Sequence, residues 1–168
     1  MNGPMKNEAR GMLPWLWLTV LVLVLDQVTK YAATAMLQLY QPINILPFFN
    51  FTLAHNTGAA FSFLSDAGGW QRWLFAVIAF LTSLAIVYWL WKLPKNESWM
   101  ALSLSLILGG ALGNLYDRVA YGYVIDFLDF YWGTAHFPAF NVADSAITVG
   151  AAVMILEAIL KPSANNPT

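Results

Sequence analysis

The sequence predicts a membrane protein of the all-α class, with four transmembrane helices, both termini on the cytoplasmic side, and a small β-rich element with aromatic loops at the outer face. Three observations carry this. Of the 168 residues 59% are hydrophobic and only 10% charged, and the mean hydropathy is +0.58, beyond what an ordinary soluble domain shows. Four apolar segments, 13–35, 73–91, 98–116 and 141–160, approach the roughly 20 residues a helix needs to cross a bilayer core. The charges are also placed unevenly, and their positions say more than the net charge of -1.

Residues 1–12 are polar, and Gly3-Pro4 reads as the remnant of tag removal, so this stretch is set apart from the fold. The first apolar segment runs past twenty residues, longer than a signal-peptide core, and reads as a retained helix. Four spans from 13 to 160 form one domain, and residues 161–168 form a polar cytoplasmic tail. Lys6, Arg10, Lys92, Lys95 and Lys161 then face the cytoplasm, against Arg72 and Arg118 outside, as the positive-inside rule requires.

The two outer connections, 36–69 and 117–140, are rich in aromatics, Gly and Pro, which places them on the membrane surface. Within the first, residues 43–64 carry β-favouring Phe, Thr and Ile between turn residues, which predicts short strands in a small sheet. Gly109 with Gly113, and Ala146 with Gly150, stand four apart on the third and fourth helices and allow close backbone approach.

Polar groups inside membrane spans are costly and mark functional sites. Asp26 and Lys30 share one face of the first helix. Asn114 and Arg118 repeat the spacing at the outer end of the third, beside Asp117. Asn141 and Asp144 open the fourth, Asn141 as its N-cap, and Asp126 lies in the loop between. The topology brings all of these to one depth near the outer interface. Taken singly, Asp26 with Lys30 and Asp117 with Arg118 are also readable as structural ion pairs.

Two adjacent carboxylates can share a proton, one acting as base on water and the other polarising a carbonyl. With no cysteine there is no thiolate, disulfide or cysteine-bound metal. No HExxH or GxSxG occurs. His55 and His136 read as interfacial hydrogen-bonders, and a Ser-Lys dyad of Lys30 with Ser62 or Ser145 ranks below the aspartates. Spacing leaves Asp26, Asp117, Asp126, Asp129 and Asp144 all open as members of the dyad.

Five blocks resemble the bacterial lipoprotein signal peptidases, in family order and over nearly the whole chain after residue 12: Asp26-Gln27-Val28-Thr29-Lys30, the run from Asn56 to Ser62, the run from Gly110 to Arg118, Val124-Ile125-Asp126-Phe127, and Phe140-Asn141-Val142-Ala143-Asp144-Ser145. The resemblance implies an aspartyl endopeptidase of the bacterial inner membrane with Asp126 and Asp144 as the catalytic pair, reached from the periplasmic face. It also implies a prolipoprotein substrate, cut before a diacylglyceryl-modified cysteine, and binding of globomycin-type peptides. Asp26, Lys30, Asn56, Gly58, Ala60, Gly110, Asn114, Arg118, Asn141 and Ala143 are expected to support the dyad or the substrate. No metal, cofactor or nucleic acid is expected, and the chain is expected to act as a monomer among membrane lipids. The rival reading of the same residues is a small oligomeric ion or proton transporter.

Overall fold

The computed structural model describes residues 11–58 and 68–161. Ala60, Ser62 and the neighbouring aromatics Phe61 and Phe63 lie outside these residues, as does the tail beyond Lys161.

The described chain contains four helices long and apolar enough to span a membrane. A single 3-10 turn, Leu13–Trp15, leads into α1, Leu16–Met36. The others are α2, Trp70–Lys92, α3, Ser98–Ala120, and α4, Val142–Leu160. Both middle helices exceed the expected bounds: α2 starts three residues earlier, and α3 continues through Asp117 and Arg118. The extra turn of α3 is held by its own capping bond, Tyr121 N–H to the Asp117 carbonyl at 2.8 Å.

α3 is the central helix and packs on α1, α2 and α4. Its small residues make this possible. A Cβ on Gly109 would lie 2.6 Å from the Val22 Cβ of α1, and one on Gly150 of α4 would lie 2.8 Å from the Ser103 carbonyl oxygen of α3. The small-residue spacing therefore marks real helix crossings, where backbones meet without intervening side chains. Outward faces carry Trp17, Val20, Val24, Val28, Leu81, Leu84 and Ile155, all exposed, as a lipid solvent favours.

The apolar core lies toward the end of the bundle where α2 closes on α3: Ile86, Leu90, Leu93, Ala101, Leu104 and Leu108, together with Met12. Gly11 N–H and Met12 N–H donate to the Leu93 and Leu90 carbonyls at 2.9 and 2.8 Å, satisfying acceptors that the end of α2 would otherwise leave open. Met12, grouped with the discarded N-terminal stretch on sequence grounds, is thus a core residue.

At the other end stands a four-stranded antiparallel sheet in the order β1, Ile43–Leu46, β2, Phe49–Asn56, β3, Val124–Trp132, and β4, Ala135–His136. The first two match the predicted strands. The third corrects the reading of 117–140 as aromatic loop: Asp126 sits mid-strand. Val124, Ile125, Asp126 and Phe127 are all buried in succession, so both faces of β3 are covered and the polar-apolar alternation that betrays a half-exposed strand is absent. Pairing places Ala54 opposite Asp126 and Asn56 opposite Val124, which sets Asn56 beside the Asp126 carboxylate.

Candidate active site

Two polar layers meet where α1, α3 and α4 reach the sheet. The lower layer is built on Lys30, whose Nζ lies 2.8 Å from Asp26 Oδ2 and 2.8 Å from Asp117 Oδ2, all three side chains being at most 1% exposed. The i, i+4 pairing within α1 was legible in the sequence. Asp117, however, pairs with Lys30 and not with its neighbour Arg118. Adjacent residues on a helix point about 100° apart, so Asp117 faces α1 while Arg118 turns toward the cleft. Gln27, which the sequence reading left without a role, closes this layer: its Nε2 donates to Asp26 Oδ2 at 3.1 Å and Asp117 Oδ1 at 3.0 Å.

The same two carboxylates tie down the parts of the backbone that matter. Asp26 Oδ1 accepts the Ala143 N–H at 2.9 Å, in the first turn of α4. Asp117 Oδ2 accepts the Ile125 N–H at 3.1 Å, next to Asp126. A buried carboxylate needs such donors, and here each one fixes the chain within one residue of Asp126 or Asp144.

The upper layer holds those two aspartates. Asn114 couples the layers: its Oδ1 accepts from Lys30 Nζ at 3.0 Å while its Nδ2 donates to Asp144 Oδ1 at 2.7 Å. Asn141 Nδ2 donates to Asp126 Oδ1 at 2.7 Å, and Asn141 Oδ1 accepts the Asp144 N–H at 2.9 Å as the expected N-cap of α4. Asn56 Nδ2 donates to Asp126 Oδ2 at 3.1 Å from β2. One asparagine thus contacts both aspartates, and each carboxylate is aimed by amide donors, which leave it ionisable without neutralising it.

Gly58 and Arg118 complete the wall. Gly58 N–H donates to Asn56 Oδ1 at 3.0 Å, and its carbonyl accepts from Arg118 Nη2 at 3.0 Å. The Arg118 guanidinium also lies 5.3 Å from the Phe75 ring centre, in cation-π range. Gly110 acts through packing: a Cβ there would drive into the Ala143 carbonyl and meet the Ile147 side chain at 2.7 Å. Gly110→Ala should therefore push the first turn of α4 off α3, costing roughly 1–3 kcal/mol of stability and displacing Asp144. A thermal melt in detergent together with a cleavage assay checks this. Unchanged values in both would mean that α4 can shift without consequence.

Asp126, Asp144, Asn56, Asn114 and Arg118 all line one cleft of about 1160 Å³ between the sheet and the outer ends of α3 and α4. Asp26, Lys30 and Asp117 lie beneath it, fully buried. Asp129, also open on spacing grounds, is elsewhere: its carboxylate accepts from Asn50 Nδ2 at 2.8 Å and pairs with His136 Nδ1 at 2.9 Å. Ser145 lines the cleft, but its hydroxyl donates to the Asn141 carbonyl at 2.9 Å, and the partners of Lys30 are Asp26, Asp117 and Asn114. That separates the two members of the Ser145-Lys30 alternative. His55 lines the cleft and stacks on Tyr123 with ring centres 3.8 Å apart, and burial pushes its imidazole pKa down. Among the described residues no group of three or more His, Asp or Glu side chains has the arrangement of a metal site.

Burial, with the nearby Asp144 charge adding to it, pushes the Asp126 carboxyl pKa up from 3.8 to about 7, against the Asn56 and Asn141 hydrogen bonds that favour its ionised form. The folded protein therefore binds this proton more tightly than the unfolded chain. The stability contributed by the protonated group is complete below about pH 4 and is lost as pH rises through about 7, a loss of roughly 3 kcal/mol between pH 5 and 8. Melting temperature should fall over that range, and Asp126→Asn should flatten the dependence. A slope unaffected by the substitution would assign it to other groups.

The fold and the site together define a membrane protein of four apolar helices with a buried polar cluster beneath a carboxylate-lined cleft at one end. The family model for signal peptidase (SPase) II matches residues 18–160, and the chain belongs to that family: it is a multi-pass bacterial membrane protease. The lipoprotein signal peptidase of Pseudomonas syringae pv. tomato is 57% identical over 158 residues, covering 93% of this chain and 91% of its own. That of Pseudomonas aeruginosa strain PAO1 is 59% identical over 149 residues, 88% of each chain. A bacterial membrane enzyme solved by the in meso method at 2.3 Å superposes with a TM-score of 0.82 at 31% identity, covering 98% of both chains. A second, at 1.9 Å, gives 0.77 at 34% identity, covering 95% of this chain and all of the other.

Proposed function

We propose that Asp126 and Asp144 are the catalytic pair of an aspartic endopeptidase that cuts prolipoproteins just before their diacylglyceryl-modified cysteine. Removal of the signal peptide from prolipoproteins is the reaction of this family, and none of the relatives described above points to transport. The observation that carries the assignment is the convergence of the two carboxylates on one cleft, each held by an asparagine of the same network.

In this reading the pair shares one proton at neutral pH, and Asp126, whose carboxyl is pushed up to about 7 by burial and the Asp144 charge, is the member that carries it into the reaction. Asp144 takes a proton from water, whose oxygen bonds to the scissile carbonyl carbon while Asp126 protonates the carbonyl oxygen. The resulting gem-diol collapses as the carbon-nitrogen bond breaks. Asp144 passes its proton to the leaving amine, Asp126 recovers its own from the diol, and the products are a new carboxyl end and the free amine of the cysteine. Asn114 and Asn141 hold the two carboxylates in place through the change of charge, and the Lys30 ammonium below keeps the net charge of the cluster down.

Selectivity comes from the bilayer. Acyl chains gain about 0.8 kcal/mol per buried CH₂ group, so the lipidated cysteine is held at the depth where α4 begins. Lys92, Lys95 and Lys161 lie at the opposite end of the helices from the sheet, which supports an N-in, C-in orientation in the inner membrane and a cleft facing the periplasm. Globomycin-type peptides would compete for the same cleft, and the site is complete within one chain, as a monomer requires.

The test is cleavage of one precursor with and without its diacylglyceryl group by the purified protein in lipid. Cutting of the lipidated form alone, before the cysteine, supports the reading. Equal cutting of both forms would remove lipid from the recognition.

A further inference from the structure

We infer that a hollow beside the cleft is the subsite for the first residues on the mature side of the scissile bond, with Asp129 and His136 as its recognising pair. This rests on the cleft's being the proteolytic site. The hollow has a volume of about 490 Å³ and adjoins the cleft, sharing Tyr40, Ala54, Phe137, Pro138 and Ala139 with it. Its lining differs in kind. The cleft takes Asn114, Asp144 and Thr148 from membrane helices, whereas no residue of the hollow belongs to a helix.

A substrate bound across the dyad has two unlike halves. The signal helix and acyl chains stay in the bilayer; the mature chain is polar and has to leave it, and the sheet side offers the way out. Polar recognition is available there. Asn50 Nδ2 donates to Asp129 Oδ2 at 2.8 Å, and His136 Nδ1 lies 2.9 Å from Asp129 Oδ1. The His136 ring stacks on Tyr131 with centres 5.3 Å apart. Orientation of the imidazole by a carboxylate on one nitrogen leaves Nε2 as the ring's remaining hydrogen-bonding atom, on a side chain that is 51% exposed. β2 adds a hydroxyl-bearing residue: Thr52, in the bulge between Phe51 and Ala54, lines the hollow. The ligand these features fit is an extended polypeptide with small or hydroxyl side chains. An acidic side chain there would face the Asp129 carboxylate, and none of the lining residues is a lysine or arginine.

The experiment compares two diacylglyceryl substrates with the same signal sequence, one ending in an amide one residue after the cysteine and one continuing for several Ser- and Gly-rich residues. For the intact protein the extension should raise kcat/KM about fivefold, mostly through KM, as one or two peptide hydrogen bonds would. In His136→Ala, and separately in Thr52→Trp, which fills the hollow, that gain should fall to near unity. The inference is overturned if the intact protein gains nothing from the extension, if both variants keep the gain, or if His136→Ala lowers both substrates by one common factor, the mark of a merely structural pair. The short substrate keeps the two readings apart. Its cleavage by the intact protein shows the catalytic site working whatever the extension does, and failure of the intact protein to cut either substrate would strike at the dyad itself.

Discussion

Lys30→Met should destabilise the protein by about 3–5 kcal/mol, the largest stability effect of any single substitution considered, because it strands two buried carboxylates at once. Asp26 and Asp117 each stand 2.8 Å from Nζ, and their remaining acceptors are spent on Gln27 and on the Ala143 and Ile125 amides. Without the ammonium, two like charges face each other in a low-dielectric interior, and relief by protonation would weaken the hold on the segments beside Asp144 and Asp126. Uniform neutralisation should recover much of the loss: Lys30→Met combined with Asp26→Asn and Asp117→Asn removes every uncompensated charge. Melts in detergent of the single and triple variants check this. A single variant as stable as the intact protein would show that the cluster is solvated and the ion pairs are of little weight.

Asp126→Asn and Asp144→Asn should each lower cleavage by a factor of about a thousand or more, the effect expected when a group that moves a proton in the rate-limiting step is removed. The effects should not multiply in the double variant, since either loss already breaks the shared-proton pair. Folding should survive both. Each asparagine is nearly isosteric with the aspartate it replaces, and the frame that places these residues is the Lys30 layer below. Asp129→Asn offers the contrast: its side chain is bound to Asn50 and His136 outside the cleft, and whatever it costs should appear in substrate affinity.

The four spans were legible because length and hydropathy alone decide them, and the i, i+4 spacing of Asp26 and Lys30 fixed one real ion pair. The Asn141 cap was legible too, since an asparagine before an apolar run has few better uses. β3 was hidden by burial on both faces, and with it the fact that Asp126 rides on a strand paired to the one carrying Asn56. The partner of Asp117 was hidden for another reason: sequence adjacency suggested Arg118, but the rotation of α3 against α1 decides it, and no local pattern encodes that rotation. Gln27 was missed because it stands outside the i, i+4 spacing that marks Asp26 and Lys30, and its reach to Asp117 depends on how α1 packs against α3. Gly110 and Ala143 entered only through family resemblance; their close approach, backbone against backbone, supplies the physical reason.

The most direct test is single-turnover cleavage of a purified diacylglyceryl prolipoprotein in lipid by the intact protein, Asp126→Asn and Asp144→Asn, with thermal melts showing all three folded. The expected result is cutting before the lipidated cysteine by the intact protein and a loss of about a thousandfold or more in each folded variant. Cleavage near the intact rate by either folded variant would contradict the assignment of Asp126 and Asp144 as the pair that breaks the bond.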